Sequence, residues 1–318
     1  MHPVTGNWRL GLVLSLITAL MWGMLPIALK LLLPVMDAVT ITWYRFVAAG
    51  LLLGAYLLVS RKLPARSGLS GTGWKLLLVC VAGLCGNYLL YLLGLRLTSP
   101  AAAQIVIQLA PAFLLLGGVW IYGETFRIRQ WAGFAILLSG LLLFFHDRIH
   151  ALSSGSGDES LGVALIVLSA IFWAGYALAQ KQLLARYSSN AIMWMIYLCA
   201  ALLLIPVSVP RQVLALDGFG WFLLIFSSLN TLVAYGCFAE ALNHWQASRI
   251  SAVLAITPLV TLAATVILGR LYDGIVYSRA DSLSLLGACI VVAGSIAIVT
   301  PAKADGKTRG MPTETKLS

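Results

Sequence analysis

A chain of 318 residues that is 60% hydrophobic and only 10% charged cannot coat itself with a polar surface, because a soluble domain carries about a quarter charged residues. Ten membrane-spanning helices of about 20 residues each would use roughly 200 residues, leaving short connections and no room for a separate soluble catalytic module. The net charge of +10 does not point to nucleic acid, since the basic residues are scattered through predicted loops and not laid along one face.

The predicted spans, in chain order, are 10–33, 38–59, 74–95, 99–122, 129–146, 161–183, 190–208, 219–241, 248–269 and 283–300. Continuous apolar runs of this length without period-two alternation favour helices over barrel strands. The first run is too long for a signal-peptide core and lacks a small-residue cleavage site, so it is expected to stay in the chain. The segment 147–160, with its SSGSGDES run, reads as a linker between two halves, residues 1–146 and 161–301; residues 302–318 read as a polar tail. Lysine and arginine are asymmetric across the spans. With the N-terminus cytoplasmic, thirteen lie on inner segments and five on outer ones (Arg96, Arg148, Arg211, Arg270 and Arg279), while Lys30, Arg45 and Lys181 fall within spans. Both termini are therefore expected in the cytoplasm.

The two halves resemble each other. An offset of 151 pairs Trp22 with Trp173, Lys30 with Lys181 and Trp43 with Trp194. An offset of 147 pairs Tyr88 with Tyr235, Leu95 with Leu242 and Pro111 with Pro258, and 154 pairs Gly133 and Gly140 with Gly287 and Gly294. Each half thus holds five spans, and an odd number obliges the second half to enter the membrane from the opposite side. The expected fold is all-α, ten transmembrane helices in two inverted five-helix repeats, with a cavity between them.

Polar groups inside spans must face protein or a wet cavity. The candidates for substrate binding are Trp22, Asn87, Tyr88, Tyr91, Gln104, Gln108, Trp173, Tyr176, Tyr235 and Ser251, whose amides, hydroxyls and rings suit polar groups or stacking. The rival reading is that each merely bonds helix to helix. Pro111 and Pro258 remove a backbone donor and free a carbonyl, as a hinge or as a static kink. Lys30 and Lys181 lie near helix ends, where a lysine snorkels to the interface or serves as a gate or anion contact. Arg45 lies deeper and needs a partner, with Asp37 across the outer turn as one candidate. Gly83/Gly86, Gly117/Gly118 and the spaced glycines of the fifth and tenth spans permit close helix approach.

Walker, HExxH, nucleophile-elbow and dinucleotide signatures are missing, the five cysteines sit singly in apolar runs, and the four histidines lie in predicted loops. The expectation is no metal, no cofactor and no enzyme.

Trp22-Gly23 followed by Lys30, YRF at 44–46, and the PAAAQ run with Pro111 and Gly123-Glu124 together resemble the EamA family of the drug/metabolite transporter (DMT) superfamily, over about residues 10–300. The second copy departs from the pattern, with Leu271 at the position paired with Glu124. The resemblance implies a bacterial inner-membrane carrier working by alternating access on a small-molecule substrate, often an exporter of amino acids or other metabolites. A multidrug or cationic-compound efflux carrier is the alternative, and a polytopic membrane enzyme is the third reading. The lipid bilayer is the other expected partner; nucleic acid is not, and oligomeric state stays open.

Overall fold

The structure, a computed structural model, describes residues 7–62, 71–123, 128–146, 157–184, 187–245, 250, 253–270 and 282–299. Every regular element among them is helical. The first half contributes α1 (Trp8–Leu32), α2 (Ala38–Val59), α3 (Gly71–Leu97), α4 (Pro100–Val106), α5 (Ala110–Tyr122) and α6 (Ile128–Phe144). The second contributes α7 (Asp158–Leu183), α8 (Ser189–Leu204), α9 (Gly218–His244), α10 (Thr257–Gly269) and α11 (Ser282–Val299). Seven of these segments, α4 and α5 counted together, are long and apolar enough to cross a membrane, while α6, α10 and α11 are shorter apolar helices. Helix α7 begins at Asp158, inside the expected linker, and α8 ends at Leu204 before short 3-10 turns at Ile205–Val207 and Pro210–Ala215.

Local chemistry sets the helix ends. Asp37 caps α2 by accepting from the Val39 and Thr40 amides, and Ser99, Ser188 and Asp217 cap α4, α8 and α9 in the same way. Gly123 closes α5 in the left-handed conformation at φ 66°, which costs glycine little.

The fourth predicted span is not one helix. Between α4 and α5 the chain tightens into a 3-10 turn, Ile107–Leu109, and Pro111 stands in the first turn of α5, where its missing N–H costs nothing. Pro258 stands likewise in the first turn of α10, after turn residues 255–256. The carbonyls these prolines would orphan are already taken. The Ala110 amide donates to Ile107 O, and the Thr257 hydroxyl donates to Leu254 O.

The halves meet through antiparallel helix pairs. Asn87 meets Ser169 and Gly94 packs on Ile166, so α3 runs against α7 in opposite directions. Thr18 meets Ala234 and Gly11 meets Trp245, which sets α1 against α9 in the same sense. Gly50 packs beside Tyr197 and Gly54 beside Trp194, joining α2 to α8. In the fourth pair, α6 and α11, the spaced glycines bring backbones together: a Cβ at Gly133 would lie 2.8 Å from Ile298 N, and one at Gly140 2.6 Å from Val291 N. Gly287 and Gly294 face Phe144 and Leu137 across the same seam. Apolar packing divides into two clusters, and Trp173 borders both.

Candidate functional site

Six helices direct aromatic side chains toward one place in the bundle. Trp22 from α1 packs edge-on against Tyr235 from α9 at 5.2 Å between ring centroids, and Phe238 lies 6.0 Å from the same indole. Tyr235 also stands against the Trp173 indole of α7 and the Tyr88 hydroxyl of α3. Phe46 from α2 lies 4.8 Å from Tyr88 and 5.9 Å from Tyr197 of α8. Tyr176 neighbours Tyr88 and Tyr235 and donates its hydroxyl to Met193 Sδ at 3.1 Å. Tyr91, one turn beyond Tyr88, donates to Gln104 Oε1 at 3.2 Å, and Gln104 is 9% exposed.

A buried cation sits among these rings. Arg45 is 4% exposed and its guanidinium carbon lies 4.4 Å from the Tyr88 ring centre. Its Nε donates to Ser227 O at 3.3 Å and to Thr231 Oγ1 at 3.2 Å, anchoring the side chain of α2 to α9. The Tyr91, Tyr197 and Tyr235 hydroxyls all lie within reach of its charge. Tyr91 and Tyr235 are deep in the protein yet keep part of their surface accessible, whereas Tyr197 is 1% exposed.

The structure therefore brings together Trp22, Tyr88, Tyr91, Gln104, Trp173, Tyr176 and Tyr235. It directs others elsewhere. Asn87 donates to Ser169 O at 3.1 Å and to its Oγ at 2.9 Å, and the Ser169 hydroxyl donates back to Asn87 O at 3.0 Å, riveting α3 to α7. Gln108 donates from the 3-10 turn to Ala255 O at 3.2 Å, so the two broken turns meet. Lys30 donates to Leu95 O, Arg96 O and Thr98 O at 2.8, 2.8 and 2.7 Å; its three protons cap the end of α3. Lys181 lies over the Tyr122 ring at 4.8 Å. Ser251 and Glu124 lie outside the described residues.

Asp37, expected as a possible partner of Arg45, is not one. It caps α2, also accepts the Thr40 hydroxyl at 2.7 Å, and its amide donates to Gln212 Oε1 at 2.9 Å. Burial pushes its carboxyl upward, but the bonds from Thr40, Gln212 and Val39 outweigh that and hold it below the usual carboxylate range. The sequence flagged Arg45 without a role and missed Tyr197, which stands at the position paired with Phe46 by the 151 offset. That offset was the signal available.

Known proteins resemble this chain over most of its length. The EamA-like transporter family model matches residues 9–146 and again residues 160–300. An uncharacterized inner membrane transporter of Escherichia coli K12, YhbE, is 39% identical over 289 residues, covering 90% of each chain. A probable amino-acid metabolite efflux pump of the same organism is 24% identical, covering 89% of this chain and 92% of that one. The pseudopaline exporter CntI of Pseudomonas aeruginosa is 25% identical, covering 91% and 95%. A crystal structure 18% identical in sequence superposes with a TM-score of 0.58 over 91% of this chain and 96% of that one, a likeness of fold.

Proposed function

The chain belongs to the EamA-like transporter family and is an inner-membrane transporter, and on that premise we propose that it exports small metabolites such as amino acids by alternating access. In this reading ten spans form two inverted five-helix repeats, with both termini in the cytoplasm, and the substrate binds among Tyr88, Tyr91, Gln104, Trp22, Trp173 and Tyr235. The observation that carries it is a mirrored contact. Ser169 Oγ donates to Asn87 O at 3.0 Å, and Thr18 Oγ1 donates to Ala234 O at 3.3 Å. Thr18 and Ser169 are 151 apart and Asn87 and Ala234 are 147 apart, the same two offsets that relate the halves in sequence. One interface thus occurs twice with its partners exchanged, as a two-fold axis requires. The antiparallel contacts of α2 with α8 and of α6 with α11, each joining sequence-matched helices, favour an axis in the membrane plane.

The names of the relatives support metabolite efflux. A buried arginine beside the aromatic site disfavours the rival reading as a cationic-compound carrier, since like charges repel in a low dielectric. Purified protein reconstituted into liposomes should move amino acids, tested with and without an imposed pH gradient. Tyr88→Ala and Gln104→Ala should each lower that flux about tenfold, the worth of one or two hydrogen bonds, at unchanged insertion. Normal flux in both variants would remove the site from this reading.

A further inference from the structure

The aromatic shell is close to symmetric, but its cation is not. Trp22 and Trp173, Tyr88 and Tyr235, and Phe46 and Tyr197 are matched by the repeat offsets, whereas the position matched to Arg45 holds Ile196. One half alone therefore supplies a positive charge to an otherwise mirrored site. A guanidinium stays protonated at any working pH, so burial does not remove its charge. Among the described residues no carboxylate approaches it; its charge is met by the Tyr88 ring face and, through Nε alone, by Ser227 O and Thr231 Oγ1.

The Nη groups make no hydrogen bond to any described residue, and neither belongs with the sealed partnerless atoms of the interior. With Nε tied to α9 and one face lying on Tyr88, the guanidinium is fixed in orientation, and its Nη edge is left open. That edge presents two parallel N–H donors, the geometry that accepts a carboxylate through both oxygens. The Tyr91 and Tyr235 hydroxyls lie within reach of the same charge. A charge this deep in a membrane protein is costly unless met by an opposite one, and no described residue supplies one.

We infer that the open Nη edge of Arg45 binds the carboxylate of the transported solute, so that the substrate is a small carboxylate-bearing organic molecule. This inference rests on the transporter reading and adds to it the chemical class of the cargo. It also places Arg45 as the specificity-determining contact, with the aromatic side chains holding the remainder of the molecule.

The test is competitive uptake into proteoliposomes of a pool of free amino acids together with their carboxamides, which keep the side chain and lose the anionic group. Wild-type protein should favour at least one free acid over its amide by about tenfold or more, as a charge-assisted pair requires. In Arg45→Gln that acid-to-amide ratio should fall toward one, and Arg45→Lys, which keeps charge but not the fork, should restore part of it. The ratio is internal to each preparation, so a change in folding or yield moves both fluxes and leaves it unaltered. An unchanged ratio in Arg45→Gln would overturn the inference and leave a purely structural arginine; if that variant does not insert, an unchanged ratio in Arg45→Lys overturns it equally. Wild-type preference for the amide would refute the role of Arg45 while sparing transport. Absence of flux for both classes would refute the proposed amino-acid export, and this inference with it.

Discussion

The sequence marks Asn87 as a candidate for substrate binding and Asp37 as a candidate partner of Arg45, and both are committed to holding helices. Asp37 accepts from two amides and a hydroxyl at the start of α2, so Asp37→Ala should cost about 1 kcal/mol, measured as a lower unfolding temperature in detergent. Its carboxyl sits below the usual value, so its contribution is complete above the unfolded carboxylate pKa and is lost as pH falls through the lower folded one. Stability of the wild type should therefore drop below about pH 4, and Asp37→Asn should flatten that fall. Asn87 and Ser169 exchange three hydrogen bonds across α3 and α7. Single alanine variants should each destabilise by about 1 kcal/mol, and the double variant by clearly less than their sum. Full additivity would mean the pair is not coupled. Pairing of this kind is invisible to composition; only the offset linking Ser169 to Thr18 hints that both serve the same joint.

At the level of elements, the seam between α6 and α11 depends on glycines that were legible as a seven-residue repeat in each half. A Cβ at Gly140 would meet the Val291 amide at 2.6 Å, and backbone atoms cannot swing aside as a flexible side-chain end can. Gly140→Ala should force the two helices apart and cost about 1–3 kcal/mol, read as a lower unfolding temperature, while Gly175→Ala, which meets nothing within 4 Å, should be neutral. The break between α4 and α5 was only half legible. Pro111 announces an interruption, but the 3-10 turn that precedes it and the bond from Gln108 to Ala255 O depend on a partner 147 residues away. Lys30 shows the same limit. Its place near a helix end suggested the interface, while the three carbonyls it caps lie at the end of α3 and just beyond it, about 65 residues downstream.

For the whole molecule, membrane embedding and family membership were readable from hydropathy and motif order, because both are carried by local sequence. The duplication was readable as offsets. The candidate site was readable only in part: its tyrosines, tryptophans and Gln104 stood out as polar or aromatic groups inside spans, whereas the contacts of Arg45 depend on α9, which lies about 180 residues downstream. The transport account requires the space beside Tyr91 to open to each side of the membrane in turn. A single cysteine placed there (Tyr91→Cys), in a chain whose five native cysteines have been replaced, can be probed with a membrane-impermeant thiol reagent applied to either face of sealed vesicles. The account predicts labelling from both faces; labelling from neither, or from one alone, would contradict it.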